Sequence, residues 1–492
     1  MNMNRTRLAL LSSFGLRDTR NAIYGALQGA QTTGNVPETE FLFTSFDETL
    51  SPNLTYETNG RFRISLRPNN WVLRTDYNVD AIKPRWQCRE GFNAFDGILI
   101  EQSNTNLIAG TDATFYDYGF PFPWQSSNID VFIFAGVDYP WQTGNLAADR
   151  IVEVPGGSST SKTLVTRVGA GSVMVTQNVS YTQSIYITRG DSLYFDTEFY
   201  ARYVQLIFPA PGFPANSYAT FDLQLGTVVG VGAGSSLLPT ITPVVNQEGI
   251  SNWYRISLTS ICNLSSDEGV PTGRFKLNIV NTAAATQGQA YTRFIDQEAS
   301  MFVCGAQYEQ NNYASSYFYS DATPKTRPSD NLTLADSNFT NIYKSSTGTN
   351  TIICEFFIDL TKAFGTGNRT VFSIDNGANK HLSFFCNRNT NYGTLVWSAG
   401  FLDTSSNIVN GLNKVAITVN GTTNAVVKVC LNGGAIFTGT SDLTPANQTW
   451  LNIGSKSNTS TTGFSDHLND VFKKLKIYKS ILPDATLQSL TA

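Results

Sequence analysis

Two carboxylates in the stretch CEFFIDL are of the residue type that cleaves glycosidic bonds. Glu355 and Asp359 are four positions apart, so in a β-strand they would lie on one face. A retaining glycosidase needs its two carboxyl groups about 5–5.5 Å apart. At about 3.3 Å of rise per residue, these two would lie roughly 13 Å apart. We therefore predict two solvent-facing acids and assign no catalytic residue.

Histidine and metal chemistry find little support in the sequence. Neither His381 nor His467 lies in a motif that pairs a nucleophile with a base. Asp375, Asp466 and Asp470 lie in turn-like stretches where calcium could bind, but no D-x-[DN]-x-[DN]-G loop is present. We predict a surface or core location for both histidines, turn roles for the aspartates, and no metal or cofactor.

Four aromatic residues are candidates for carbohydrate binding. Trp124 in YDYGFPFPWQSSN and Trp141 in GVDYPWQTGN stand beside Pro, Gly and Gln, which are surroundings typical of loops. Tyr392 and Trp397 lie close together in NYGTLVW. An exposed ring can stack on the apolar face of a sugar while neighbouring polar groups bind its hydroxyls. The alternative is packing over the end of a sandwich or across a subunit interface.

The elements that hold these residues are predicted to be strands. Only 15% of the 492 residues are charged, 12% are aromatic, and Gly, Asn, Ser and Thr are plentiful, a composition that favours strands and tight turns. The net charge of -4 without a basic stripe argues against a nucleic-acid partner. The sequence contains no run of about 18 apolar residues, the length that would predict a transmembrane helix. The cysteines have no C-x-x-C pair, which favours buried, reduced thiols.

The pattern divides the chain into four segments. Residues 1–40 are predicted to form an N-terminal helix and a polar connector that serve attachment or oligomerisation. Residues 41–108 are expected to be an irregular anchoring module with one buried strand at Ile98–Ile100. Residues 109–322 alternate polar and apolar side chains at period two, as in NWYRISLTSI, which predicts a β-sandwich. Residues 331–492 predict a second sandwich.

Turn signals add detail to the last segment. Asn-Gly pairs at Asn376-Gly377, Asn420-Gly421 and Asn432-Gly433 favour the positive φ angles of tight hairpins. The stretch PDATLQSL predicts a short final helix with Pro483 at its start. The predicted fold class is thus mainly β: an N-terminal α-helix, then two tandem antiparallel β-sandwich (jelly-roll) domains.

The ordered motifs resemble known families. The order of VAITVNG, VKVCLNGGAIF, TWLNIGSKSN and VFKKLKIYKSILPDATLQSL is similar to concanavalin A-like, laminin-G-type domains. Glucanases of that fold resemble one another in a Glu-x-Asp-x-x-Glu strand, which this sequence lacks. In residues 109–322, YTQSIYITRGD, NWYRISLT and GAQYEQNNYASSYFYSDATPKTRPSD resemble carbohydrate-binding-module-like sandwiches of bacteriophage structural proteins. GILIEQSNTNL resembles the end of a third phage module.

These three pieces recur together in phage tail-fibre, tail and head-appendage proteins. The resemblance implies a structural virion protein, assembled in the host cytoplasm, that is not an enzyme. Its N-terminal region would bind other virion proteins, its sandwiches would bind host-surface glycans, and it would form a homotrimer. Two alternatives remain: a head decoration or cement protein, and a glycan-degrading hydrolase. The tyrosines of the closing segment are expected to pack between domains.

Overall fold

The structure is a computed structural model of the whole chain. It describes residues 39–42, 55–57, 64–66, 73–75, 86–87, 97–108, 124–134, 148–154, 156–166, 173–189, 201–234, 237–244, 253–263, 272–293, 300–318, 320, 324–327, 329–334, 336–343, 348–360, 368–375, 381–387, 392–397, 400–421, 424–441, 448–457 and 464–492. The helix predicted in residues 1–40 lies outside these ranges.

Strands dominate the described residues. Those before residue 108 are β1 (Thr39–Leu42), β2 (Thr55–Glu57), β3 (Ile64–Leu66), β4 (Leu73–Thr75), β5 (Trp86–Gln87), β6 (Gly97–Ile100) and β7 (Asn104–Asn106). The middle of the chain holds β8 (Trp124–Ser127), β9 (Ile129–Phe134), β10 (Ala148–Glu153), β11 (Gly156–Thr160), β12 (Lys162–Thr166), β13 (Val173–Met174), β14 (Ser180–Arg189), β15 (Tyr203–Ile207), β16 (Tyr218–Asp222), β17 (Thr227–Val231), β18 (Leu238–Val244), β19 (Trp253–Ile261), β20 (Thr272–Gly273), β21 (Lys276–Val280), β22 (Tyr291–Arg293), β23 (Ser300–Glu309) and β24 (Lys325–Arg327).

The last third carries two helices among its strands. Its elements are β25 (Asn331–Leu334), α1 (Asp336–Ile342), β26 (Thr349–Ile358), β27 (Arg369–Asp375), β28 (His381–Cys386), β29 (Tyr392–Trp397), β30 (Gly400–Asn407), β31 (Gly411–Asn420), β32 (Ala425–Leu431), β33 (Ile436–Ser441), β34 (Trp450–Ile453), β35 (Lys456–Ser457), β36 (Phe464–Ser465), β37 (Asp470–Tyr478) and α2 (Asp484–Thr491). The final helix after Pro483 is confirmed. Among the described residues, no helix is long and apolar enough to cross a membrane.

Two antiparallel sheets form the C-terminal sandwich. The first has the order β33-β32-β31-β26-β37-β6-β5, with β1 also pairing with β37, and the second has the order β2-β25-β34-β27-β28-β29-β30. Their inner faces enclose one apolar core, to which Ile98 and Ile100 of β6 contribute. The predicted buried strand at Ile98–Ile100 is therefore confirmed, and strands that precede residue 108 complete this sandwich.

Two further sheets form the middle sandwich. One has the order β18-β19-β14-β23-β10-β9, with β7 pairing with β23 and β24, and the other has the order β17-β16-β15-β21-β12-β8. A separate core lies between them. The mainly β fold class and both sandwiches are thus confirmed. The segment boundaries and the attachment roles of residues 1–40 and 41–108 stay predictions.

Tight turns follow the chemistry of the sequence. Asn432 and Gly433 between β32 and β33 have φ angles of 49° and 69°. The Gly434 amide donates to the Leu431 carbonyl at 2.9 Å, which closes a turn that needs positive φ at both central residues. Strands β27 and β28 pair as the predicted hairpin, and so do β31 and β32. The Asn376-Gly377 turn itself lies outside the described residues.

The thiols of the described cysteines are buried and unpaired, as predicted; they are Cys262, Cys304, Cys354, Cys386 and Cys430. Burial raises the pKa of the Cys304 and Cys354 thiols well above the usual range. Their side chains therefore act as small apolar groups rather than as nucleophiles.

A buried ionic network joins the two sandwiches. Arg327 ends β24, which is attached through β7 to a middle sheet, whereas Glu101 follows β6 and Asp330 precedes β25 in the C-terminal sheets. The Arg327 guanidinium lies 3.3 Å from the Glu101 carboxylate and 3.7 Å from that of Asp330, and it donates to the Gln102 carbonyl at 3.0 Å. The three charged residues are at most 5% exposed, so removal of one would take away part of the charge compensation of a buried group.

A second carboxylate network lies beside this junction. Glu309 at the end of β23 accepts hydrogen bonds from the Asn104 amide at 2.6 Å and from the Ser315 amide at 3.0 Å, and the Ser315 hydroxyl also donates to it. Burial raises the pKa of Glu309 to about 7 although these hydrogen bonds oppose the shift. His467 is also buried, and burial, reinforced by the charge of Arg327, lowers its pKa to about 3.

Candidate functional site

The acids considered for catalysis have structural partners. Glu355 lies within β26, and its carboxylate is 3.5 Å from the Lys473 ammonium and 3.2 Å from that of Lys474. Asp359 follows the end of β26, and its amide donates to the Asp470 carboxylate at 2.7 Å. Glu355 is thus neutralised by two lysines, an arrangement typical of a structural ion pair rather than of a nucleophile.

Of the three aspartates considered for calcium, Asp375 and Asp470 have separate partners, and Asp466 has the positive φ angle of a turn residue. Asp375 accepts from the Asn452 amide at 3.1 Å and from the Ser373 hydroxyl at 3.3 Å, and burial raises its pKa to about 6. Asp470 is 3.9 Å from Arg369. Across the described ranges, no group of three potential metal-binding side chains lies together. His467 is the core histidine that the sequence allowed, at 3% exposure, whereas the His381 side chain lies outside the described residues.

The loop location expected for Trp124 is wrong. Trp124 begins β8 and is 5% exposed. Its ring meets that of Phe275 edge to face, with centroids 5.5 Å apart. A ring enclosed in this way belongs to the middle core, which was the alternative to sugar binding. Trp141 lies outside the described residues, so its role stays a prediction.

Tyr392 and Trp397 lie on the same strand but on opposite faces. Alternation along β29 directs Gly393, Leu395 and Trp397 toward the core. Trp397 is 7% exposed, and a Cβ added to Gly439 on β33 would come within 2.9 Å of its ring. The structure therefore places Trp397 in packing. Tyr392 is half-buried and lies on the outward face.

The outward face of β28–β30 carries the most exposed aromatic side chain in the described part of the chain. Phe401 on β30 is 68% exposed. It lies opposite the half-buried Val396 on β29, which in turn is paired with Ser383 on β28. We define the Phe401 face by the outward side chains of these three strands, which are Ser383, Phe385, Tyr392, Thr394, Val396, Phe401 and Asp403; Ser383 among them is fully buried.

A polar pair lies next to this apolar row. The Thr394 hydroxyl donates to the Asp403 carboxylate at 2.5 Å across β29 and β30. Asp403 follows Phe401 by two residues, so the carboxylate and the ring share a face about 7 Å apart along the strand. Asp403 is half-exposed. The face thus combines an accessible ring with an oriented acceptor, the two elements that a sugar site needs.

Sequence reasoning found Tyr392 on this face but missed Phe401. The stretch LVWSAGFLD contains the signal: β29 and β30 form a hairpin in which Trp397 pairs with Gly400. That register directs Trp397 inward and Phe401 outward. Without the register, the larger Trp397 is the natural candidate for an exposed ring. A one-residue shift in strand pairing would exchange the inward and outward side chains.

Comparisons with known proteins give distant matches. No family model and no curated protein matches this chain. Among solved structures, the CBM40 of Ruminococcus gnavus IT-sialidase bound to α2,3-sialyllactose is 14% identical with a TM-score of 0.25, and the match covers 32% of this chain and 87% of that one. Mouse laminin α1 domains LG4-5 are 12% identical with a TM-score of 0.19, and that match covers 68% and 91%. These values assign neither a family nor a function.

Proposed function

We propose that this protein is a non-enzymatic structural component of a bacteriophage particle, a tail fibre or appendage that binds host-surface glycans. The glycan-binding part is supported by one observation above all: Phe401 is 68% exposed on a sheet face beside the Thr394–Asp403 pair. Burial of an aromatic ring of this size stabilises folding, so a ring left in water on a rigid sheet indicates a binding surface.

The virion part is supported by the sequence motifs. YTQSIYITRGD, NWYRISLT and the segment after Gly305 resemble phage structural proteins. The junction around Arg327 adds a mechanical argument, because a buried ionic network fixes the two sandwiches against each other. An appendage that projects from a particle needs such stiffness. In this proposal, the region before residue 40 binds other virion proteins, and the assembled form is a homotrimer.

Immunogold imaging of intact particles tests the location. An antibody against residues 331–492 is expected to label the tail or its appendages. Labelling over the whole head would support a decoration or cement protein instead, and unlabelled particles would contradict a virion role altogether.

A glycan array tests the binding role. The full chain is expected to bind a subset of glycans from the host surface, and the bound sugars should be recovered intact. Release of reducing sugar from host polysaccharide would favour the hydrolase. Absence of binding to every host glycan would contradict the receptor-binding role and leave the virion location unaffected.

A further inference from the structure

Six of the described cations have a carboxylate within ion-pair distance. Arg202 binds Asp222 at 2.7 Å, and Lys428 binds Asp484 at 2.7 Å. Arg327, Arg369, Lys473 and Lys474 also lie within 4 Å of carboxylates. In a chain of net charge -4, acids are available, and pairing is the ordinary state of a half-buried cation.

Arg274 and Lys276 depart from this pattern. They flank Phe275, which is fully buried in the middle core, so alternation directs both cations away from the core. Both are half-buried. The Arg274 Nε donates to the Thr166 carbonyl at 2.5 Å. In the part of the chain that the structure describes, no carboxylate lies within ion-pair distance of either residue.

The electrostatics are those of two cations without a counter-charge. Burial lowers the pKa of Arg274, and burial followed by the charge of Arg274 lowers the pKa of Lys276. No acid opposes either shift. The two like charges therefore lie close enough to repel each other, which a bound anion would relieve.

The surroundings form one row across a middle sheet. The register pairs Gln125 with Val165, Val165 with Lys276, and Ile207 with Tyr218. The Leu206–Leu277 pair of β15 and β21 places the next residues, Ile207 and Lys276, beside each other. Ile207 is fully buried, and Gly288 of the connection after β21 lies over it. The exposed Gln125 amide and the half-buried Tyr218 ring border the cations, each about 10 Å away across two strand spacings.

We propose that Arg274 and Lys276 form a binding site for an oxyanion, namely the carboxylate or phosphate group of an anionic polymer. Arg and Lys together supply a planar donor fork and a point charge, a combination that suits both groups. The site is on the middle sandwich and shares no residue with the Phe401 face. It would give the protein a second, charge-dependent contact that does not depend on aromatic stacking.

Biolayer interferometry with the full chain tests this site. The probes are an oligogalacturonate for carboxylate, a poly(glycerol phosphate) for phosphate, and maltohexaose as the neutral control. We expect binding to at least one polyanion that weakens with salt, and a loss of at least tenfold in affinity in the Arg274→Gln/Lys276→Gln double variant. The matched control is Lys428→Gln, which removes a lysine that is also half-buried but is paired with Asp484, and it should bind like the wild type.

The preferred probe identifies the source of the oxyanion. Stronger binding of the carboxylate polymer indicates acidic sugars, and stronger binding of the phosphate polymer indicates a phosphate-linked polymer. Phe401→Ala should retain polyanion binding, which separates this site from the proposed glycan site. If the double variant is unstable to heating, Lys276→Gln alone should weaken binding about threefold. Equal affinity of wild type and double variant, an equal loss in Lys428→Gln, or no polyanion binding would overturn the proposal.

Discussion

The outer faces of the two sandwiches differ in how far the chain covers them. On the middle sandwich, the chain covers its own sheets. Residues 281–290 lie over one sheet, where Gln205 donates to the carbonyls of Ala285 at 3.0 Å and Thr286 at 3.2 Å and accepts from the Gly288 amide at 2.8 Å. The buried Gln205 side-chain amide needs hydrogen-bond partners, and residues 281–290 supply them by lying over the sheet.

The other middle sheet is covered by the segment after β23. Thr182 donates to the Asn311 carbonyl at 2.9 Å, and the Tyr317 ring meets Tyr186 edge to face at 6.1 Å. Of the described tyrosines in this segment, Tyr313 is 6% exposed and Tyr317 is 3% exposed. Tyr317 contacts the middle sandwich, and the expectation that the tyrosines pack between domains stays a prediction.

The Phe401 face of the C-terminal sandwich has the opposite character. Helix α2 covers part of the other C-terminal sheet through Leu487 and Cys430, but Phe401 stays exposed. Among the described outer faces, those of the middle sandwich and part of one C-terminal sheet are covered by the chain itself, whereas Phe401 on the other C-terminal sheet stays accessible. Exposure of an aromatic ring is therefore the informative feature, whereas the number of aromatics is not.

The largest effect is expected at the junction between the two sandwiches. Arg327→Ala removes the guanidinium that faces the buried Glu101 and Asp330 carboxylates and should lower the free energy of unfolding by about 3–5 kcal/mol. Chemical denaturation measures this loss. Lys428→Ala is the control, since its partly exposed pair with Asp484 should cost about 1 kcal/mol or less. Equal losses in both variants would show that the junction is not fixed by this network.

The loss in free energy of unfolding should be much larger when a buried aromatic ring is removed than when an exposed one is removed. Trp124→Ala removes a ring enclosed against Phe275 and should cost about 3 kcal/mol or more. Phe401→Ala removes an exposed ring and should change the free energy of unfolding by about 0.5 kcal/mol or less. Thermal unfolding of both variants checks the difference. A stable Trp124→Ala protein would reopen that residue as a binding candidate.

The buried Glu309 carboxylate of the middle sandwich should make stability depend on pH. Because the folded-state pKa of Glu309 is about 7 against an ordinary value of 4.5, the folded protein holds this proton over a range where the unfolded chain has lost it. The stabilisation that comes from this proton on Glu309 is about 3 kcal/mol; it is fully present below pH 4.5 and is lost as the pH rises through 7.

Glu309→Gln removes this contribution. Denaturation at pH 5 and pH 8 should show that the variant gains stability relative to the wild type as the pH rises, whatever constant offset the amide introduces. A difference between the two proteins that does not change with pH would contradict the raised pKa.

Removal of a covering contact should have a smaller effect. Gln205→Ala deletes the amide that holds residues 281–290 on the sheet and should cost about 1–3 kcal/mol. Hydrogen exchange in residues 281–290 should accelerate. Gln289→Ala is the control, because the half-buried Gln289 bonds Thr286 within the same segment. Unchanged exchange in the Gln205 variant would mean that other contacts hold the segment.

The sequence predicted strands and turns better than it predicted faces. Period-two alternation and Asn-Gly pairs report local geometry, so β27–β28 and the Asn432-Gly433 turn were predictable. The pairing of β1 and β6 with β37 was not, because it joins residues 370 or more positions apart and no local pattern encodes it. The same limit hid Phe401: its exposure depends on register across β29 and β30.

The affinity of Phe401 variants for a host glycan tests the central claim most directly. Phe401→Ala should weaken binding about tenfold or more without loss of stability, because an aromatic anchor typically costs 2 kcal/mol or more when truncated. Phe401→Trp should retain binding. Val409→Ala, which removes an exposed apolar side chain outside the face, should bind like the wild type. Unchanged affinity in Phe401→Ala would contradict the assignment of this face as the glycan-binding surface.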